Sequence, residues 1–170
     1  MNIVLLTFSS TKTGGIEQVA RNIIRSLENE HNISIISLDE ISKKYKNKAL
    51  NKIYSGMFLK SDINKKIKSY DPDIIISLHP FLLDFLEKKF ISKTLCWVHG
   101  IDVFGVNGLR VKQKLESCKK IISVSNFTKE HLVKELDYKN QIEIINNCVD
   151  LNTFTSLESS TQFIDNIRWN

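Results

Sequence analysis

The sequence predicts an α/β fold, a parallel β-sheet with helices on both of its faces. Three observations lead there. Short runs rich in branched apolar residues alternate with stretches whose apolar residues recur at helical spacing. The runs are apolar almost throughout, as strands are when both sheet faces are covered. Most of them end on a histidine, serine or asparagine, and in such sheets ligands bind at the carboxyl ends of the strands. With 170 residues the chain suits one domain, long enough to bury about two-thirds of its unfolded surface.

The first strand is Ile3 to Phe8. A polar loop, Ser9 to Thr13, and the pair Gly14-Gly15 follow; then Ile16, Val19, Ala20, Ile23, Ile24 and Leu27 share one face of a helix. Strand, glycine turn and helix start aim free backbone N–H groups and a positive helix end at one point, which suits a phosphate. Glycine there leaves the backbone open to a ligand. His31-Asn32 leads into a second strand, Ile33 to Leu38. Ile41, Tyr45, Ala49, Ile53 and Met57, widened by Leu50, Tyr54 and Phe58, predict an amphipathic helix with lysines on its other face. A shorter helix, Ser61 to Tyr70, packs through Ile63 and Ile67 and is stopped by Asp71-Pro72.

The third strand, Ile74 to Leu78, ends at His79-Pro80, and Phe81 to Phe90 is a short helix. The fourth, Thr94 to Val98, ends at His99-Gly100; a loop to Gly108 and a helix from Leu109 to Cys118 follow. The fifth, Ile121 to Val124, ends at Ser125-Asn126 before a helix from Thr128 to Leu136. The sixth, Ile142 to Ile145, ends at Asn146-Asn147. Beyond it, Thr155 to Asn170 is polar; Phe163, Ile164, Ile167 and Trp169 suit either a short docking helix or disorder.

The net charge of +5 is unevenly spread: residues 43–68 hold nine lysines against one acid, Asp62. Such a stretch attracts anionic lipid, nucleic acid or a phosphorylated substrate, or is simply a solvated face. Nucleic acid is the weaker reading, since no interleaved arginines or binding motif accompany the lysines. Three cysteines without C-x-x-C spacing and four dispersed histidines indicate reduced thiols, no metal and a cytoplasmic setting. No apolar run approaches the roughly 20 residues of a membrane span, and no secretory signal is expected at the start. Phosphate-loop, dinucleotide, zinc-protease and nucleophile-elbow motifs are absent. His99-Gly100-Ile101-Asp102 is the sharpest chemical signal: it brings an imidazole and a carboxylate to the mouth of the cleft, where imidazole can donate to a sugar hydroxyl or a developing phosphate charge. His79 reads as structural, and His31 and His131 as surface residues.

Six pieces in order carry a resemblance: Gly14-Gly15-Ile16-Glu17, His31, Pro72-Asp73-Ile74-Ile75 with His79, Val98 to Asp102, Ile122 to Thr128, and Ile144 to Asp150 running to Phe154. Together they resemble the Rossmann-like N-terminal half of a retaining, family 4-like glycosyltransferase of the GT-B fold. The likeness covers residues 1–154 and leaves 155–170 as a tail or the start of an interdomain linker. It implies that Gly14 and Gly15 lie against the donor diphosphate and that His99 contacts the transferred sugar. Asp102 would stand nearby with acceptor or loop-ordering duties, and Lys12, Thr13, His79, Ser125 and Asn126 would line the cleft rim. No cofactor or metal is implied beyond a nucleotide-sugar donor. The acceptor would be a glycan or a lipid-linked molecule, as in cell-surface polysaccharide synthesis.

Cys148 stands where the family pattern has glycine, which alters the turn expected there. The donor-binding second domain is expected to be missing, so that this chain supplies one wall of the cleft and is inactive alone. The partner this implies is a separate donor-binding chain or a second copy in a homodimer. Residues 41–68 resemble the basic amphipathic segment by which related enzymes dock on anionic membrane at the inner face. The competing reading is a non-catalytic adaptor that uses the same fold to bind protein or membrane.

Overall fold

The structure, a computed structural model, describes residues 1–12, 14–45 and 52–148, the side chains of 52–55 excepted. Thr13, Lys46, Lys48, Ala49, Leu50 and residues 149–170, with the docking helix considered there, lie outside the described residues.

Six strands form one sheet in the order β2-β1-β3-β4-β5-β6. They are β1 (Asn2–Thr7), β2 (Asn32–Ser37), β3 (Ile74–Ser77), β4 (Thr94–Val98), β5 (Lys120–Ser123) and β6 (Ile142–Ile144). Every neighbouring pair is parallel. The register pairs Ile3 with both Ile33 and Ile74, and Ile121 with both Cys96 and Ile142. All carboxyl ends therefore lie on one edge. The chain leaves β1 toward β2 on one side and returns to β3 on the other, so the topological switch falls between β1 and β3.

The helices are α1 (Gly15–Leu27), α2 (Leu38–Lys43), α3 (Lys52–Tyr70), α4 (Lys88–Ile91), α5 (Gly105–Glu116) and α6 (Asn126–Leu136), with a 3-10 helix over Pro80–Phe85. Side-chain alternation along the strands divides the core in two. Val4, Leu6, Ile36, Ile75, Cys96, Val98, Ile121 and Ile142 face the larger cluster, which takes Ile41 of α2, Ile63 and Ile67 of α3, Phe90 of α4, Val111 and Leu115 of α5, and Leu132 and Leu136 of α6. Ile3, Leu5, Ile76, Leu78, Trp97 and Ile122 face the smaller one, where Val19 and Ala20 of α1 are the buried helical residues. Helices thus cover both faces as expected, but unequally: among the described residues, α1 is the one helix on its side.

Three helices depart from expectation. The single amphipathic helix from 41 to 58 is not seen; α2 ends at Lys43, and α3 runs unbroken from Lys52 through Ser61 to Tyr70. Met57 and Phe58, assigned to its apolar stripe, are 67% and 47% exposed. The expected helix from 81 to 90 is a 3-10 turn and then α4, separated by Leu86 in extended conformation. Helix α5 starts at Gly105, not Leu109, because its inner face is Gly108, Val111 and Leu115, while Val106 and Leu109 face outward. Glycine is required at 108: a Cβ there would lie 2.1 Å from the Val103 carbonyl oxygen.

Candidate functional site

The edges of β1, β3 and β4 meet at the switch point, and contacts join their tips. The ring of Phe8, just past β1, lies edge-on to His79, just past β3, at 4.9 Å between centroids. His99, just past β4, sets Nε2 3.0 Å from the carbonyl oxygen of Leu78. A carbonyl only accepts, so Nε2 carries the hydrogen, and in the neutral ring Nδ1 is left as an acceptor. With Nε2 engaged in this way, Nδ1 is the ring nitrogen left to meet a ligand.

Asp102 is 3% exposed, and both of its carboxylate oxygens accept the backbone N–H of His99 at 3.0 Å. Between them Gly100 adopts φ +116°, a conformation that β-carbon-bearing residues rarely take. His99-Gly100-Ile101-Asp102 is thus a tight turn clamped by its own buried carboxylate. His79 uses Nδ1 to accept the N–H of Phe81 at 3.1 Å, capping the 3-10 helix. Burial holds the His79 imidazole below its ordinary pKa; the Asp102 charge opposes that shift and His99 adds to it.

The loop after β1 is built as tightly. Ser9, 2% exposed, accepts the N–H groups of Thr11 and Lys12 on Oγ and donates to Asp39 at 2.7 Å. Asp39 also accepts from Ser37, and its backbone N–H donates to the Phe8 carbonyl at 2.9 Å. These serine hydroxyls, Ser37 first and then Ser9, hold the Asp39 carboxyl below the usual carboxylate range. Ser10 adds a hydrogen bond to Glu40. The segment leading to the glycine pair is thereby pinned to the start of α2.

The family model described as Glycosyltransferase Family 4 fits residues 13–153. The chain belongs to that family. No curated protein sequence matches it significantly.

In this family 4 domain Gly14 is the extended residue before α1, and Gly15 is its first residue; both are exposed. A Cβ on Gly15 would meet nothing within 4 Å, and one on Gly14 would meet only the movable Glu17 carboxylate. Neither backbone conformation nor packing calls for glycine at 15. A molecule approaching from outside would.

Ser125 is the N-cap of α6: its Oγ accepts the Thr128 N–H at 3.1 Å and lies 3.1 Å from the Thr128 hydroxyl. Asn126 and Lys12 are exposed at the same sheet edge. The structure thus brings His79, His99 and Asp102 together, puts Lys12, Gly14, Gly15, Ser125 and Asn126 on their edge, and leaves Thr13 outside the described residues. Asn146 donates to the Val124 carbonyl at 3.0 Å. Cys148 is tied back to α1, its carbonyl accepting from Asn22 at 2.8 Å. The turn after it lies outside the described residues.

Sequence reasoning missed Phe8, Asp39 and Phe104. Phe104 packs against Phe127 and, at 4.4 Å, against His131, whose Nε2 is buried. His131 is accordingly half-buried, with one edge packed. Among the described residues no group of three or more His, Cys, Asp or Glu is placed to hold a metal. No described helix is long and apolar enough to cross a membrane.

Proposed function

We propose that the chain is the acceptor-side half of a glycosyltransferase that moves a sugar from a nucleotide-diphosphate donor to a glycan or lipid-linked acceptor, and that it requires a second, donor-binding domain for turnover. The observation that carries this reading is the clamped His99 turn beside the β1/β3 switch, with its free Nδ1, in a chain of Glycosyltransferase Family 4.

Gly14 and Gly15 would admit the donor diphosphate to the start of α1, where backbone N–H groups and the helix end favour negative charge. His99 would orient a hydroxyl of the transferred sugar through Nδ1. Asp102, engaged with the His99 backbone, is a positioning residue in this scheme. Lys12, Thr13, His79, Ser125 and Asn126 would border the acceptor. For retention, the departing diphosphate itself can take the acceptor's proton, while the protein supplies position and charge stabilisation. No metal or organic cofactor enters the scheme, and the enzyme would work in the cytoplasm.

In the full-length or reconstituted enzyme, His99→Ala should lower kcat by about a hundredfold, the scale of losing one oriented polar contact. Near-normal turnover would remove His99 from the site.

A second reading, an adaptor that docks on membrane, is favoured by one observation. On α3, Met57 and Phe58 are exposed in company with Lys65 and Lys68, the mixture that interfacial helices use. Flotation with anionic vesicles should then show binding that weakens with salt; binding indifferent to anionic lipid would rule it out.

A further inference from the structure

Away from the rim, the outer helices enclose a cavity of about 520 Å³ between α3, α4 and α5. That lies within the roughly 300–1,000 Å³ of small-molecule sites. Lys60 comes to it from α3, Lys88 from α4 and Lys114 from α5; Asp84 is the acid in its wall, and Leu83 and Ile91 form apolar floor.

The charge around it does not balance. Asp84 is shared by Lys114 and, at 3.5 Å, Arg110. The neighbouring acids are engaged elsewhere: Glu87 by Lys68 and Lys89, Asp62 by the Tyr45 hydroxyl, and Glu116 by Lys112. Among the described residues, Lys60, Lys88, Lys114 and Arg110 thus set four positive charges against one local carboxylate. Burial depresses the pKa of Lys114, and the nearby Lys60 depresses it further, as happens when cations are brought together without enough anion.

We propose that this cavity is an anion site that takes a phosphate ester, its phosphate held by Lys60, Lys88 and Lys114 and its organic part against Leu83 and Ile91. Three ammonium groups from three helices suit phosphate oxygens, each of which accepts several charge-assisted hydrogen bonds. The cavity is too large for phosphate alone and has apolar floor for the rest of the ester. The same chemistry belongs to a soluble sugar phosphate and to a phospholipid headgroup. The site is independent of His99 and of the transfer reaction.

The test is titration of the full chain, by calorimetry at low salt, with inorganic diphosphate and with glucose 1-phosphate, alongside flotation with phosphatidylglycerol and phosphatidylcholine vesicles. Binding of a soluble probe should weaken at least tenfold in Lys60→Gln/Lys88→Gln, a change at two exposed positions that spares the core. It should tighten several-fold in Asp84→Asn, which removes the competing carboxylate, and stay unchanged in Lys65→Gln/Lys68→Gln. Phosphatidylglycerol binding that the Lys60/Lys88 variant alone abolishes, with no soluble probe bound, would identify a lipid headgroup as the ester. The proposal is overturned if no probe or anionic vesicle binds at millimolar concentrations, or if the Lys60/Lys88 variant binds as the native chain does.

Discussion

Asp102→Ala is the sharpest probe of the histidine turn. Both oxygens lie 3.0 Å from one donor, the His99 N–H, so the pair amounts to a single charge-assisted bond. Such a bond contributes about 1.5–3 kcal/mol, and a buried N–H left without a partner costs about 1–3 kcal/mol. These overlap, and part is offset because the carboxylate no longer has to be desolvated in a site only 3% exposed. The expected loss is about 2 kcal/mol for alanine and about 1 kcal/mol for Asp102→Asn, which keeps an oxygen in place. At roughly 2–4 °C per kcal/mol for a domain of this size, Tm should fall by about 4–8 °C and 2–4 °C. Thermal and urea unfolding at pH 7 measure both. A second signature separates the turn from general damage: the Asp102 charge opposes the effect of burial on His79, so the His79 titration followed by NMR should move further down in either variant. An alanine variant within 0.5 kcal/mol of the native chain, with His79 unmoved, would refute the clamp.

Three further outcomes are expected. Gly15→Ala should leave the unfolding midpoint unchanged or slightly raised, since a Cβ there meets nothing, yet weaken donor-diphosphate binding in the two-domain enzyme; a large stability loss would show that packing, not a ligand, needs this glycine. Gly100→Ala should cost about 1–3 kcal/mol, because φ is +116° and the new carbon would sit 3.3 Å from the Phe104 ring, as urea unfolding would read. The His79 pKa is lowered in the folded chain, so its contribution to stability is full above the unfolded value of about 6.5 and is lost as pH falls through the folded value. Stability measured between pH 7 and 5 should decline, and His79→Gln should flatten that slope; Asp39, also lowered, acts only below about pH 4.

The strands were legible because runs such as Ile74-Ile75-Ile76 admit almost no other reading once both sheet faces are covered. The rim followed from them, since parallel strands put His79 and His99 on one edge whatever the helices do. Helix α5 was misjudged because its most apolar early residues, Val106 and Leu109, face outward, while the contact that fixes its start is made by a glycine with no side chain to read. The Ser9–Asp39 tie joins residues 30 positions apart, and the Phe104–His131 contact joins two different elements. No periodicity reports such pairs; they exist only once the sheet order has been chosen.

The tie between α1 and Cys148 has a consequence for how the molecule is made. Part of the cradle of this helix comes from Ile145 to Cys148, and the Asn22 tie spans 126 residues. At roughly 5–20 residues per second, that stretch takes about 6–25 s to synthesise. Throughout that interval the nascent helix lacks this neighbour, and the tie closes only when the segment after β6 arrives beside α1.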